Sequence, residues 1–175
     1  MNKKIFTIAI VTIMAISFFA SCGARRTTIQ EDPTYDVGVV INNVRWATRN
    51  VDTSGNFAQN RSDVGGLFTF DEAQNVCPQG WRLPTYEELR SLSRAGGVWT
   101  GNGRIFGTAP NQLLLPAMRW QDIRLAIGPP HYVGRYWSST AGDASSGWWL
   151  VFDSVDREVS TANRNRSFSV RCVAE

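Results

Sequence analysis

The stretch Cys77-Pro78-Gln79-Gly80-Trp81-Arg82-Leu83-Pro84-Thr85, with Glu88 and Leu89 just beyond it, holds the end of one helix, a buried aromatic and the start of a second helix. Pro78 cannot continue a helix and Gly80 readily leaves one, so a helix arriving from upstream stops here. Pro84 stiffens the approach to the next helix. There Thr85 and Glu88 form the box in which a hydroxyl and a carboxylate satisfy each other's orphan amides. That spacing predicts a helix whose Leu89 and Leu92 face inward. The upstream helix opens in the same way, since Thr69 precedes Phe70 and Glu72 follows, and it places Phe70, Ala73 and Cys77 on one face. Trp81 and Leu83 supply buried mass between the two.

Working outward, the chain alternates at Val37, Val39 and Ile41, turns at Asn42-Asn43, and resumes with Val44, Trp46 and Ala47, which predicts an opening strand pair. Beyond Arg94, glycines at 96, 97, 101, 103, 107, 128 and 134 and prolines at 110, 116, 129 and 130 predict little regular structure from Ala95 to Arg135. A loop of that length needs an anchor or a function, and Leu113 to Leu115 is the expected anchor. Strands are predicted at 136–140, 148–153 and 167–173. The last puts Phe168, Val170 and Cys172 on one face. Trp148 and Trp149, adjacent on a strand, must point to opposite faces.

The length of 175 residues suits one ordinary domain, and 43% hydrophobic against 19% charged residues is the balance of a packed chain. Lys3 and Lys4 are the only lysines. After them 16 arginines stand against 15 acidic residues, a net charge of about +1 that disfavours nucleic acid as a partner. The two lysines and the apolar run Ile5 to Ala20 read as an export signal, too short as a helix to span a bilayer. The run ends in Phe19-Ala20-Ser21-Cys22-Gly23, which resembles the bacterial lipobox. Residues 1–21 are thus expected to be a lipoprotein signal peptide, and Cys22 the lipidated first residue of the mature chain. Residues 22–36 are expected to be a polar tether and 37–175 the folded domain. Setting Cys22 aside leaves Cys77 and Cys172, an even pair in an oxidising context, so a disulfide is expected; free thiols or metal ligands are the other readings.

Five motifs then occur in order: Trp46-Ala47-Thr48-Arg49-Asn50-Val51; Ala73 with Cys77 to Thr85 and Glu88-Leu89; Leu115-Pro116-Ala117; Tyr136-Trp137-Ser138-Ser139-Thr140; and Ser169-Val170-Arg171-Cys172-Val173. Together they resemble the Fibrobacter succinogenes major paralogous domain family across about residues 38 to 173, a family similar to C-type lectin-like folds. The resemblance implies an α+β, C-type lectin-like fold, in which two short helices flank a twisted antiparallel sheet with a long irregular insertion. It also implies a disulfide from the first helix to the final strand. It implies no activity, because folds of this kind carry sugar binding, protein binding and formylglycine generation alike.

Calcium-dependent sugar binding of the lectin kind uses Glu-Pro-Asn and Trp-Asn-Asp segments, since calcium wants six to eight oxygen ligands. This chain has Ala109-Pro110-Asn111, lacking the carboxylate, and no Trp-Asn-Asp. No metal or other cofactor is therefore expected. Formylglycine-generating relatives hold copper on two cysteines close together near the chain end, unlike Cys77 and Cys172. No Gly-x-Ser-x-Gly elbow is present and His131 is the only histidine, so the chain is read as non-catalytic. The segment Gly101 to Gly107 lacks the lysine of a phosphate loop and reads as a surface turn. Trp46, Trp81 and Trp137 lie in the motifs and are expected in the core. Trp99, Arg104, Trp120, Arg124 and His131 are the candidate ligand-binding residues, a face of aromatic and guanidinium planes. The bland alternative is that the two tryptophans pin the loop to the sheet.

The expected function is a lipid-anchored binding or adhesion module of the cell envelope, on the outer membrane of a Gram-negative bacterium. Its partners would be the membrane, through the N-terminal lipid, and a glycan or envelope protein. The alternatives are a structural or accessory subunit of a surface assembly such as a pilus tip and, behind it, an enzyme related to formylglycine-generating proteins. Acylation is tested by metabolic labelling with a clickable fatty acid: the wild-type chain should label and Cys22→Ala should not, and equal labelling of both would remove the anchor.

Overall fold

A computed structural model describes residues 32–120 and 131–175. The proposed signal peptide, Cys22 and Arg124 lie outside the described residues. Within them the chain forms thirteen strands and two short helices, arranged as four small antiparallel sheets. The first is ordered β1 (Val39–Ile41), β2 (Val44–Trp46), β13 (Val173–Ala174), β5 (Trp81–Arg82). The second is ordered β12 (Arg157–Asn163), β11 (Ser146–Phe152), β10 (His131–Ala141), β9 (Met118–Trp120). The ribbon β3 (Val51–Thr53) with β4 (Asn56–Phe57) is the third, and β6 (Val98–Trp99), β7 (Gly103–Thr108), β8 (Asn111–Pro116) the fourth. The helices are α1 (Phe70–Ala73) and α2 (Tyr86–Arg94).

The α+β, C-type lectin-like expectation is overturned: the chain is mostly β, in four separate small sheets rather than one sheet flanked by helices. Two features account for the difference. Much of the region expected to be irregular is strand, β6 to β9, and its glycines serve the sheet. A Cβ on Gly103 would sit 2.7 Å from the Leu115 carbonyl oxygen, and Gly107 has φ +82°, so glycine is required where backbones crowd and turn. Leu113 and Leu115 do anchor the region, as buried positions of β8. The first helix, meanwhile, stops after four residues. The Gln74 side-chain amide donates to the Phe70 carbonyl at 3.1 Å, occupying the acceptor a continuing helix would use. Cys77 therefore lies beyond α1, not on its face.

Other local expectations hold. Asn42 and Asn43 take φ +49° and +64° and close the β1–β2 hairpin. The Thr85 amide donates to Glu88 at 2.7 Å while the Thr85 hydroxyl accepts from the Glu88 amide at 3.3 Å, and Leu89 and Leu92 are buried. Cys77 and Cys172 are joined by a disulfide across 95 residues. In the chain-entropy model such a loop contributes at most about 4 to 5 kcal/mol.

Residues 168–172, expected as strand, instead thread between the sheets. They bond in turn to Phe68, Arg135, Val51 and Ala47 through main-chain groups at 2.9–3.0 Å. With neighbours on both sides, Ser169 and Arg171 are buried as well as Phe168, Val170 and Cys172. The core is accordingly double. Trp46, Tyr136 and Val173 belong to one cluster with Leu89, Phe106 and Phe152. Their chain neighbours Ala47, Trp137 and Cys172 belong to the other, with Phe70 and Leu83. Adjacent residues of an extended chain point to opposite faces, so the same three segments feed both clusters. Of the motif tryptophans, Trp46 and Trp137 are buried and Trp81 is half-buried at the margin.

Arg171 lies between these layers, 1% exposed. Its Nε donates to Asn50 Oδ1 at 2.8 Å, Nη1 to the Ala47 carbonyl at 2.9 Å and Nη2 to the Leu114 carbonyl at 3.2 Å. The Asn50 amide in turn donates to the Tyr136 hydroxyl at 3.1 Å, which donates to the Pro116 carbonyl at 2.6 Å. Burial pulls the guanidinium down to about 10 and pushes the Tyr136 phenol up to about 12.

Arg171→Met should cost about 3 kcal/mol or more, because three buried acceptors lose their donor, and Tyr136→Phe about 1 to 3 kcal/mol. Denaturant unfolding measures both; a wild-type midpoint for Arg171→Met would show that the network is dispensable. A second expectation concerns acid. Burial alone would raise the Glu88 carboxyl, but the Arg82 guanidinium at 2.6 and 2.8 Å and the Thr85 amide outweigh it and hold it below its ordinary 4.5. A depressed carboxyl stabilises the fold above its unfolded value and loses that contribution as pH falls through the folded one. Glu88→Gln should thus cost about 1 kcal/mol at neutral pH, the worth of a helix cap. The difference in melting temperature from wild type should shrink as the pH falls below 4.5 and vanish once the folded carboxyl is protonated.

Candidate functional site

A cleft of about 350 Å³ opens beside the start of the described chain, between residues 32–37 and the segment after β2. Its floor is a buried ion pair. The Asp36 carboxylate accepts from Gly38 N and Thr48 N at 2.8 and 2.9 Å, from the Thr48 hydroxyl at 2.9 Å, and from Arg49 N and Nε at 3.2 and 3.4 Å. Arg49 donates onward to the Ala58 carbonyl at 3.3 Å and to the carbonyls of Asp32 and Tyr35. A carboxylate engaged by five donors, and a guanidinium spread over three carbonyls, hold the N-terminal strap to the domain.

The groups facing the opening are different. Arg61 is exposed, and among the described residues its guanidinium has neither a hydrogen bond nor an ion pair. Tyr35 is 65% exposed and Val37 56%. A second cleft of about 170 Å³ shares Thr48 and Arg61 and runs on along Ile105, Gln112 and Leu114. Arg61 thus stands where two clefts meet, with the Tyr35 ring on one side and the β8 edge on the other. The charge of Arg61 reaches buried Arg171, which donates to the Leu114 carbonyl behind the second cleft. The exposed Asp32 carboxylate is held low by the Thr34 hydroxyl and amide. Chemically, the groove can accept a polar ligand that offers an acceptor to Arg61 and an apolar flank to Tyr35, Val37 and Leu114.

The residues singled out from sequence fall elsewhere, in two pairs. Trp99 of β6 lies opposite Arg104 of β7 and packs, half-buried, against the first core cluster. Arg104 is 4% exposed and donates to the Asp153 carbonyl at 2.9 Å and to Gly97 at 3.4 Å; burial lowers its pKa. Trp120 and His131 are cross-strand partners at one end of the β9–β10 ribbon, next to Arg119 opposite Tyr132. The two pairs sit on different sheets. Among the described residues no group of three or more His, Cys, Asp or Glu could hold a metal ion. Sequence reasoning missed Tyr35, Thr48, Arg61 and Gln112. Only Thr48 lay in a motif; the other three come from polar or irregular stretches, brought together by the packing of β8 against β1 and the strap.

No curated protein and no solved structure gives a significant match to the chain. Residues 41–174 match the family described as Lcl C-terminal domain. The matched span runs from the last residue of β1 to the last of β13 and includes Thr48, Arg61 and the β8 wall of the groove, and on that match the chain belongs to the Lcl C-terminal domain family.

Proposed function

We propose that this chain is a non-catalytic binding or adhesion module of the cell envelope, held to the membrane by lipid on Cys22, with the groove around Arg61 as its contact site. The observation that carries the reading is the exposed guanidinium at the junction of two clefts, backed by a second, buried cation. A cation set in an open groove between fixed walls is a contact waiting for an acceptor, since the walls need no rearrangement on binding. The lipobox at Cys22 and the pair of cysteines in an oxidised state both agree with an exported protein. The five motifs that resemble the Fibrobacter succinogenes major paralogous domain family are a finer placement within the same reading. The anchor this reading invokes is the lipid on Cys22; among the described residues no helix is long and apolar enough to cross a membrane.

The test is a binding screen of glycans and envelope proteins against the chain from Gly23 onward. Arg61→Ala should weaken binding of the strongest hit by roughly tenfold or more. Its stability should change by no more than about 0.5 kcal/mol, because the side chain is exposed. Chelator should leave affinity unchanged. Trp99→Ala, by contrast, should lower the melting temperature, as its ring rests on the core. Wild-type affinity in both Arg61→Ala and Gln112→Ala would move the site away from this groove.

A further inference from the structure

Strand β8 stands at the edge of its sheet, with β7 on one side only. Antiparallel partners alternate between pairs that exchange main-chain bonds and pairs that do not. The Ala117 amide donates to the Asn102 carbonyl at 2.8 Å, which sets the phase. Leu115 and Leu113 turn their main-chain groups toward Arg104 and Phe106 of β7, and Gln112, Leu114 and Pro116 turn theirs away. Two of the outward carbonyls bear this out: Leu114 accepts from Arg171 at 3.2 Å and Pro116 from the Tyr136 hydroxyl at 2.6 Å. Proline has no amide to offer, so the edge ends there. Left over are the Gln112 N–H and C=O and the Leu114 N–H, which have no partner among the described residues. Strand β1 packs against β8, yet its own ladder is with β2.

An idle edge invites unwanted pairing, and natural sheets blunt it with charge, proline or a bulge. Residues 111–115, Asn-Gln-Leu-Leu-Leu, carry no charge and no proline, and their register with β7 is unbroken. Gln112 is exposed and Leu114 half-buried, and both line the cleft of about 170 Å³ that Arg61 and Thr48 also line. No acidic residue lines that cleft. The groove thus presents a donor, an acceptor and a second donor at strand spacing, an apolar flank from Ile105 and Leu114, and one unpaired cation. The ligand that matches all of these is an extended peptide bearing a carboxylate. Its main chain pairs with Gln112 and Leu114, as an added strand does, and its acid meets Arg61. A lone carboxylate would use the cation and leave the edge to water. A basic strand would pair with the edge and be repelled by Arg61.

We propose that an extended acidic segment of a partner protein docks in this groove, adding to β8 as a further strand and setting a carboxylate against Arg61. Docking of this kind rests on the reading of the groove as the contact site, and it makes the partner a protein.

The experiment titrates the full-length protein in detergent with capped hexapeptides of alternating valine and threonine that carry one glutamate at each position in turn. The same set with lysine is the control, and fluorescence anisotropy of a dye on the peptide reads affinity. At least one glutamate peptide should bind, and its lysine counterpart should not. Arg61→Ala should weaken that binding by roughly tenfold or more. Arg61→Glu should transfer the preference to lysine. Methylating the peptide amides separates strand pairing from charge attraction. Methyl groups on every second amide should abolish binding in one phase and leave it intact in the other, because only alternate amides face β8. Gln112→Pro should abolish binding at the wild-type melting temperature, since proline is tolerated where an edge N–H faces outward. Failure of every glutamate peptide to bind, equal tolerance of methylation in both phases, or wild-type affinity in folded Gln112→Pro would overturn the added strand. Hits from the glycan and envelope-protein screen that depend on Arg61 while every peptide fails would overturn the strand and keep the groove; hits indifferent to Arg61 would overturn both.

Discussion

The fold depends on a guanidinium buried without a carboxylate. Moving a charged group out of water costs several kcal/mol even after relaxation, so Arg171 is tolerable only if its surroundings supply acceptors in fixed places. Among the described residues it meets none of the acidic side chains at ion-pair distance; Asn50 and the carbonyls of Ala47 and Leu114 take its protons instead. Those acceptors come from the loop after β2 and from β8, segments that touch nothing in common in the sequence. The residue that joins them is almost the last in the chain. Until residues 168–173 dock, neither core cluster is complete, since Val170 and Cys172 belong to one and Val173 to the other. The disulfide acts on the same segment, tying Cys172 to the turn that follows α1.

The same network builds the groove. The bond from Arg171 to the Leu114 carbonyl fixes the strand that forms one wall, and the five-donor clasp on Asp36 fixes the strap that forms the other. Arg61 lies between two walls whose backbone these bonds hold in place. Buried Arg171 adds positive potential from behind, where low dielectric screens it less than water would. The asymmetry between a fully clad Asp36 and an unclad Arg61 separates a charge that holds the fold from one that does not.

What could be read from sequence was local or arithmetic. Thr85 with Glu88, Asn42 with Asn43, and the even pair Cys77 and Cys172 each declare themselves within a few residues or by counting. The strands β6 to β9 did not, because glycine and proline count as breakers when only the local chain is considered. Gly103 is glycine because the Leu115 carbonyl leaves no room for a Cβ, a fact that exists only once β7 meets β8. Strand β12, Arg157–Asn163, is polar apart from Val159 and Ala162, so its alternation was too weak to see. The candidate site was less legible still. Trp99 and Arg104 drew notice as aromatic and cation in a presumed loop, yet cross-strand pairing turns both inward. Arg61, between Asn60 and Ser62, carries no period and no motif, and nothing before folding relates it to Gln112.

The double core also constrains where a ligand can bind. In a sheet with one wet face, every second residue is available for recognition. Here Trp46 and Ala47, Tyr136 and Trp137, and Cys172 and Val173 are all buried, so the central segments have no wet face to offer. The surface left free lies at the margins, where strap meets sheet or helix meets strand. The groove at Arg61 is such a margin. Because central residues serve two clusters at once, change there is costly, while the margins can vary with little effect on stability.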